Sequence, residues 1–212
     1  GCNFQPGSMH RGAVSQTADG FGKLKRWDDK EYKGVMYMSR PYMMETNRLG
    51  FSEWRENDSE LAMELWGDPL VSRLISANGR FSEQAIRERL QTEIQNNLKF
   101  QVQYWPVFEL SSGSMIGCCG LRPYRIEARI FELGFHFKPE HWGKGYAHEA
   151  ASAVLEHARS HLKAEFVVAG HHPDNMASAK LLSKLGFEYT HHEYYEATGL
   201  EHPTYQFKYE LC

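Results

Sequence analysis

A strand-to-helix junction that carries two glycines constrains this chain more than any other stretch. The alternating segment 130–137 predicts a strand, and a helix is predicted to begin near Gly145, with Gly143 two residues before it. Glycine permits positive φ and lets a ligand approach the backbone closely. The first amides of a helix have no partner within it, and the helix dipole is positive there. The junction is therefore a predicted seat for a phosphate group.

The length and composition predict one globular domain with an appendage. The chain has 212 residues, of which 42% are hydrophobic and 13% aromatic, enough for a substantial core. Residues 1–43 are polar and lack periodicity, so we expect an N-terminal extension that is partly ordered or left from cloning, with a dimer-forming or lid arm as the alternative. The domain itself is expected to occupy residues 44–212.

Charge and cysteine usage narrow the class of protein. A net charge of −3 without a basic cluster argues against nucleic acid as a partner, and no apolar run reaches the ~18 residues of a membrane span. No signal peptide is visible. Cys118 and Cys119 are neighbours in a strand-like run, so we expect two buried thiols on opposite faces, in a reducing cytosol. We therefore expect a cytoplasmic protein, monomeric or homodimeric.

Hydrophobic periodicity predicts an α/β fold with a mixed sheet and helices on both faces. The predicted strands are residues 48–54, 102–110, 115–121, 130–137, 166–170, 187–195 and 205–211, and the last two are joined through Gly199 and Pro203. Helices are predicted after residues 57–58, after Ser82, after Gly145 and after residues 174–175.

The ends of these helices are predicted from capping residues. Asn57 and Asp58 precede the first helix, and Glu60 stands three residues after Asn57 as a capping-box partner. Ser82 begins the next helix, and Gly186 is expected to end the last one in a left-handed conformation.

Three motifs in order make the chain resemble the GCN5-related N-acetyltransferase (GNAT) superfamily, above all its RimJ/RimL-type branch. They are residues 132–135 with 142–150, the pattern Asn175-x-x-Ser178, and residues 184–187 at the end of a helix. Each motif alone is weak, but the three in order are specific. The resemblance covers about residues 45–211. It implies a mixed, mostly antiparallel twisted sheet of about seven strands, splayed between the fourth and fifth strands.

The resemblance also implies acetyl-CoA as co-substrate and a primary amine as acceptor. The pantetheine arm would lie in the splay, on backbone groups of Phe135 and Phe137. Glu140 stands where the family usually carries Gln or Arg, so we expect its carboxylate to point away from the pyrophosphate. The pyrophosphate would rest on amides of Trp142, Gly143, Lys144, Gly145, Tyr146 and Ala147.

Acetyl transfer to an amine needs a group that removes a proton from the ammonium. Glu132 is the first candidate for this base, because it lies on the strand that would line the splay. The alternatives are Glu193, Glu196, His136, His171 and His172. The histidine pairs at 171–172 and 191–192 show no metal-ligand spacing, so no metal is expected.

The helix after residue 175 supplies the remaining predicted contacts. By resemblance, Asn175 would hold the pantetheine arm and Ser178 would hydrogen-bond the departing sulfur. A helix cap is the structural alternative for Asn175. Leu182 stands where many family members carry a tyrosine acid, so that acid is excluded at this position.

The sequence thus predicts direct transfer from acetyl-CoA to a primary amine in a ternary complex. The acceptor is either a protein N-terminus or a small amine, and the helices between residues 57 and 97 are expected to shape its pocket. Tyr104, Trp105 and Trp142 are expected in the core, or else as a wall of that pocket. A non-catalytic acetyl-CoA-binding sensor or partner module is the alternative function.

Overall fold

The computed structural model describes residues 40–209, which build one eight-stranded sheet between two helical layers. The order across the sheet is β1-β2-β3-β4-β5-β6-β8-β7, and only β5 and β6 run parallel. The strands are β1 (Met44–Glu45), β2 (Leu49–Phe51), β3 (Tyr104–Glu109), β4 (Met115–Arg125), β5 (Ile130–Phe137), β6 (Phe166–Gly170), β7 (Glu188–Tyr195) and β8 (Leu200–Lys208).

The predicted mixed, mostly antiparallel α/β sheet is confirmed, with one strand more than expected. The two residues of β1 pair antiparallel with β2 at the edge of the sheet and add the eighth strand. Most of the predicted N-terminal extension, residues 1–39, lies outside the described part of the chain.

Helices cover both faces of the sheet, as predicted. One layer contains α1 (Ser59–Trp66), α2 (Pro69–Ser72) and α3 (Glu83–Phe100), and the other contains α4 (Tyr146–Ser160) and α5 (Met176–Leu185). Short 3-10 turns occupy Ile126–Ala128 and Pro139–His141. Three alanines of α4, Ala150, Ala151 and Ala158, are fully buried and bring that helix close to the sheet.

Each face of the sheet has its own hydrophobic core, and the two adjacent cysteines divide between them. Cys118 packs with Trp66 and Leu90 on the α1–α3 side, while Cys119 packs with Val154 on the α4 side. Burial raises the pKa of Cys118 to about 12 and the pKa of Cys119 well above its usual value. The prediction of two buried thiols on opposite faces is confirmed, whereas Cys2 and Cys212 lie outside the described residues.

The predicted capping box at α1 is wrong. Asp58 is the residue before the helix, but its side chain makes no capping bond to the first turn. Its carboxylate instead accepts hydrogen bonds from Arg40 and from the amide of Arg55, the latter at 2.7 Å. A charged partner from another segment thus outcompetes the local contact that Asn57 and Glu60 suggested.

The other predicted helix ends are confirmed. The Ser82 hydroxyl accepts a hydrogen bond from the amide of Ala85 at 3.2 Å, which caps α3. Gly186 ends α5 with φ of 91°, in the left-handed region that favours glycine.

Three strand predictions need correction. β2 spans three residues rather than the predicted 48–54, β4 continues to Arg125 rather than ending at residue 121, and β8 begins at Leu200 rather than at residue 205. Pro203 was expected in the connection but lies inside β8, opposite His192 of β7. Its fixed φ is compatible with an extended backbone, so the proline costs the strand one donor and does not end it.

The sheet opens between β5 and β6. These strands share only three registered pairs, Ile130 with Phe166, Phe131 with Val167, and Glu132 with Val168. Beyond them β5 continues for five residues without pairing to β6. They are the fourth and fifth of the predicted strands, so the predicted splay is confirmed.

Candidate active site

A cavity of about 650 Å³ lies where β5 and β6 part. Its walls come from both helical layers, so it reaches through the gap from one face of the sheet to the other. Residues 132–137 of β5 form one side, and residues 170–172 at the end of β6 form the opposite side. The cavity is also lined by the junction before α4, the first turn of α5, residues of α2 and of the segment after it, Arg89 on α3, and residues of β7 and β8.

The backbone of β5 presents alternate residues to this gap. Lys138 donates its amide to the carbonyl of Ile116 on β4 at 2.9 Å. Because backbone groups alternate between the two edges of an antiparallel strand, the groups of Phe137 and Phe135 point away from β4, into the gap. The indole N–H of Trp142 donates to the Phe137 carbonyl at 2.7 Å. Both phenylalanines therefore have the backbone orientation that the predicted pantetheine contacts require.

The glycine junction forms an open turn at the start of α4. Gly143 and Gly145 have φ of 73° and 79°, and α4 begins at Tyr146. Gly145 brings no side-chain cap to the helix, and the first helical bond runs from the Glu149 amide to the Gly145 carbonyl at 3.1 Å. A Cβ on Gly143 would meet no atom of the described chain within 4 Å. The earlier amides of α4 thus face an accessible turn.

Arg48, which directly precedes β2, contacts this turn and stabilises it. Its guanidinium pairs with Glu149 at 2.6 Å, donates to the Lys144 carbonyl at 3.0 Å, and lies 4.4 Å from the centre of the Tyr146 ring. Lys144 does not line the cavity, unlike the other predicted residues of the turn. The side chain of Glu140 is exposed, as expected.

The prediction that Trp142 belongs to the core is wrong, because 48% of its surface is exposed. Its bond to the Phe137 carbonyl holds the indole at the mouth of the cavity instead. Tyr104 and Trp105 are buried as predicted, and Tyr104 also lines the cavity. A Cβ on Gly134 would lie 2.1 Å from the Tyr104 ring, so this close contact requires glycine on β5.

Side chains at even positions of β5 face the α1–α3 layer. His136 lies 3.3 Å from the indole N–H of Trp66, which donates to its Nδ1 atom. Burial, with repulsion from Arg89 and Arg122, holds the pKa of His136 well below its usual value. This histidine is therefore neutral at neutral pH and is poorly suited to take up a proton.

Glu132 occupies the same wall. It is half-buried and stands opposite Arg122 in the register of β4 and β5. Burial raises the pKa of its carboxyl group, Arg122 and Arg89 lower it, and Glu193 raises it, with a net shift upward. A raised pKa moves this carboxylate toward the range in which it can take a proton from an ammonium group.

The two alternative carboxylates, Glu193 and Glu196, do not share the partly buried position of Glu132 at the gap. Glu193 lines the cavity as an exposed residue, and the hydroxyl of Tyr124 donates to its carboxylate at 3.2 Å. Glu196 is not among the lining residues. Glu132 is thus the predicted carboxylate that is both partly desolvated and at the gap.

The first turn of α5 closes the cavity from the other layer. The side-chain oxygen of Asn175 accepts from the Ser178 amide at 3.1 Å, so the expected helix cap is present. Asn175 and Ser178 both line the cavity, and Leu182 is buried in the core. The His171 ring contacts the Tyr205 hydroxyl at 3.2 Å.

Two lining residues were not singled out from the sequence. His202 is buried, and its Nε2 atom lies 2.7 Å from the Thr198 hydroxyl. Arg89 lies on α3, whose buried face contains Ile86, Leu90 and the charged Glu93. Arg89 lies one turn before Glu93 on this face of α3, and a charged residue at such a position was a usable signal in the sequence. His202 gave no such signal, because its place in the cavity depends on the pairing of β8 with β6.

Within residues 40–209, no three His, Cys, Asp or Glu side chains gather closely enough to hold a metal ion. None of the helices in this part of the chain combines the length and the apolar surface needed to cross a membrane.

Several known proteins are similar to this chain. The acetyltransferase (GNAT) domain family matches residues 48–188. The uncharacterized N-acetyltransferase p20 of Bacillus licheniformis is 26% identical over 143 residues, which cover 68% of this chain and 80% of p20. The uncharacterized protein YkkB of Bacillus subtilis strain 168 is 32% identical over 127 residues, which cover 59% of this chain and 73% of YkkB.

The fold is similar to that of a solved acetyltransferase. The structure of RimL, a ribosomal L7/L12 alpha-N-protein acetyltransferase in complex with coenzyme A, superimposes with a TM-score of 0.67. The sequences are 14% identical, and the match covers 79% of this chain and 98% of RimL.

We expect His202 to make the stability of the protein depend on pH. Burial, followed by the charges of His172 and His171, lowers the pKa of His202 from 6.5 to about 4. As the pH falls below 6.5, the unfolded chain takes up this proton first, so stability declines down to about pH 4, by at most about 1.4 kcal/mol per pH unit. His202→Asn should reduce this slope in urea unfolding measured at a series of pH values.

The matched control is His191→Asn, because His191 is exposed on β7. It should keep the slope of the original protein even if its absolute stability changes. An unchanged slope in His202→Asn would contradict the assignment of this pH dependence to His202.

Proposed function

Because the chain belongs to the acetyltransferase (GNAT) family and is thus an acetyl-CoA-dependent acyltransferase, we propose that it transfers the acetyl group directly to a primary amine. The observation that carries this proposal is the gap between β5 and β6. It joins an open helix start on one face of the sheet to a partly desolvated carboxylate, Glu132, on the other. A donor on one face can therefore reach an acceptor on the other.

The turn before α4 fits the pyrophosphate of acetyl-CoA. We assign the contacts to the backbone from Trp142 to Ala147, where positive φ at Gly143 and Gly145 leaves the turn open. Helix amides and the helix dipole favour an anion at this point. Arg48 stabilises the conformation of the turn by donating a hydrogen bond to the Lys144 carbonyl.

The edge of β5 fits the pantetheine arm. The amide groups of the pantetheine arm need hydrogen-bond donors and acceptors. The backbone of Phe135 and Phe137 on β5 is turned into the gap and offers both. The Phe137 carbonyl already accepts from Trp142, and its second lone pair is free to accept once more. Asn175 uses its side-chain oxygen as a cap, so its NH₂ group is the part available to the arm.

Glu132 is assigned the role of general base. It accepts the proton that the ammonium of the acceptor must lose before nitrogen attacks the thioester carbonyl. The new C–N bond forms as the C–S bond breaks, and the nitrogen passes its second proton to the departing sulfur, which leaves as the free thiol. Ser178 donates a hydrogen bond to that sulfur. A backbone amide near Gly170 is proposed to polarise the carbonyl oxygen, because the end of β6 lies across the gap from β5.

Incubation with acetyl-CoA and a mixed panel of amines tests this reaction. We expect free thiol to appear and the acetyl group to be found on nitrogen by mass spectrometry, whereas the corresponding alcohols remain unmodified. Binding of acetyl-CoA with no thiol release above background for any amine would favour the non-catalytic sensor. Acetyl groups on oxygen would contradict the choice of an amine.

Replacing Gly145 by valine should weaken acetyl-CoA binding by roughly tenfold or more, because a β-branched residue resists the positive φ of this turn. The dissociation constant can be measured by calorimetry. Gly113→Val is the matched control, since Gly113 has φ of 69° in an exposed hairpin where a Cβ meets no described atom within 4 Å. Equal affinity in Gly145→Val and the original protein would refute the phosphate seat.

Glu132→Gln should lower kcat by about 10²–10⁴-fold, as expected for loss of a general base, and leave the affinity for acetyl-CoA unchanged. In the original protein, kcat/KM should fall on the acid side with an apparent pKa above 4.5, because the pKa of Glu132 is raised. The pH profile of the variant should lack this limb.

Glu193→Gln tests whether Glu193 rather than Glu132 is the general base. Glu193 raises the pKa of Glu132, so its removal should move the acid limb to lower pH while transfer continues. If Glu193→Gln abolishes transfer and Glu132→Gln does not, the base is Glu193.

A further inference from the structure

One cation on the α1–α3 side of the cavity, the side where we place the acceptor, has no part in the proposed reaction. Arg89 lies on α3 and lines the cavity. Its Nε atom is buried and has no hydrogen-bond partner within residues 40–209. None of the ion pairs in the described chain includes Arg89. A desolvated cation of this kind is costly unless an anion completes the site.

The carboxylate that could have neutralised Arg89 is engaged elsewhere. Glu93 lies four residues further along α3 and is fully buried. One of its oxygens accepts from the amide of Tyr104 at 2.8 Å, and the other accepts from Nε of Arg122 at 3.1 Å. Glu93 therefore serves Arg122 and the start of β3, while Arg89 is left with its charge directed at the cavity.

Two aromatic rings hold the Arg89 guanidinium in position. Its Cζ atom lies 5.0 Å from the centre of the Trp66 ring and 5.5 Å from that of Phe81. Such contacts orient a guanidinium without neutralising it. The planar fork is thereby preorganised for a carboxylate, which it can bind through two parallel hydrogen bonds.

The position of Arg89 relates it to the acceptor rather than to the donor. It shares the α1–α3 side of the cavity with Glu132 and His136, and its charge acts on both. The phosphate seat at Gly145 belongs to the opposite helical layer. An acceptor whose nitrogen reaches Glu132 could thus place a second group at Arg89.

We propose that the acceptor is a small amine that also carries a carboxylate, as amino acids do, and that Arg89 binds this carboxylate. The inference rests on the proposed transfer to an amine and names its substrate class. The segment after α1 lines the same region with Leu70, Val71, Leu74 and Ile75, which favours an apolar substituent on the acceptor. A polyamine would leave Arg89 without a counterion and add like charge beside it.

The test compares each of the twenty protein amino acids with its amide, which retains the amine but lacks the carboxylate. We expect at least one acid to be acetylated with a kcat/KM about tenfold or more above that of its amide. Arg89→Gln should abolish this preference by raising KM for the acid about 10- to 100-fold, with kcat and the reaction of the amide little changed. Arg89→Lys, which keeps the charge but loses the fork, should retain part of the preference.

Arg73→Gln is the matched control, because Arg73 lines the same cavity but is exposed. It should preserve the preference for acids. The proposal is overturned if the original protein acetylates amides as well as or better than acids, if only amines without a carboxylate react, or if Arg73→Gln removes the preference and Arg89→Gln does not.

A binding measurement separates this inference from the proposed transfer. N-acetylated amino acids and their amides can be titrated by calorimetry into the protein saturated with coenzyme A, with no turnover required. Tighter binding of the acids, lost in Arg89→Gln, supports the carboxylate site even if no amine is acetylated, in which case the transfer proposal alone fails. Equal or undetectable binding of acids and amides to the original protein, together with no preference in transfer, rules out the carboxylate site.

Discussion

The separation of β5 from β6 after the Glu132–Val168 pair is the constraint on which the rest of the site depends. A strand edge inside a sheet exposes amides and carbonyls that must find partners. Trp142 supplies one such partner at Phe137, and the remaining edge of β5 offers the pattern that an extended ligand with amide groups can complete. The opening therefore provides space and also leaves backbone groups of β5 without partners from β6.

Charge is distributed unequally about this opening. On the α4 layer, an uncapped helix start provides backbone dipoles for an anion. On the other layer, Arg122 is neutralised by the buried Glu93, whereas Arg89 and Glu132 are not joined to each other by a salt bridge. The side of the cavity where we place the acceptor thus contains a buried cation and a partly desolvated carboxylate that are not paired with each other, which matches a molecule of mixed charge better than a simple cation.

Local features could be predicted from the sequence, and contacts between distant segments could not. The bounds of β5 and β6, the glycine turn and the cap at Ser82 follow from neighbouring residues, and the structure has them where expected. Asp58 and Trp142 were misjudged because their partners, Arg40 and the Phe137 carbonyl, were not evident from local pattern.

The site shows the same division. The glycine turn that we propose as the phosphate seat lies in one continuous stretch and was evident from glycine spacing. His202 enters the cavity only because β8 lies beside β6, and Arg89 only because α3 packs on the sheet over Tyr104. The contiguous motifs carried the family resemblance, whereas the residues on the proposed acceptor side come from separate helices and strands without a shared pattern.

The alternation along β5 has an evolutionary consequence. Its odd-numbered residues beyond Phe131 turn their backbone into the gap, where we propose that the donor lies, and backbone contacts tolerate most changes of side chain. Its even-numbered side chains, with those of α2 and α3, face the side of the cavity where we place the acceptor. Under this proposed assignment, mutations of the side chains can change which acceptor is recognised without altering the backbone groups that bind the coenzyme, so that one fold can serve several specificities.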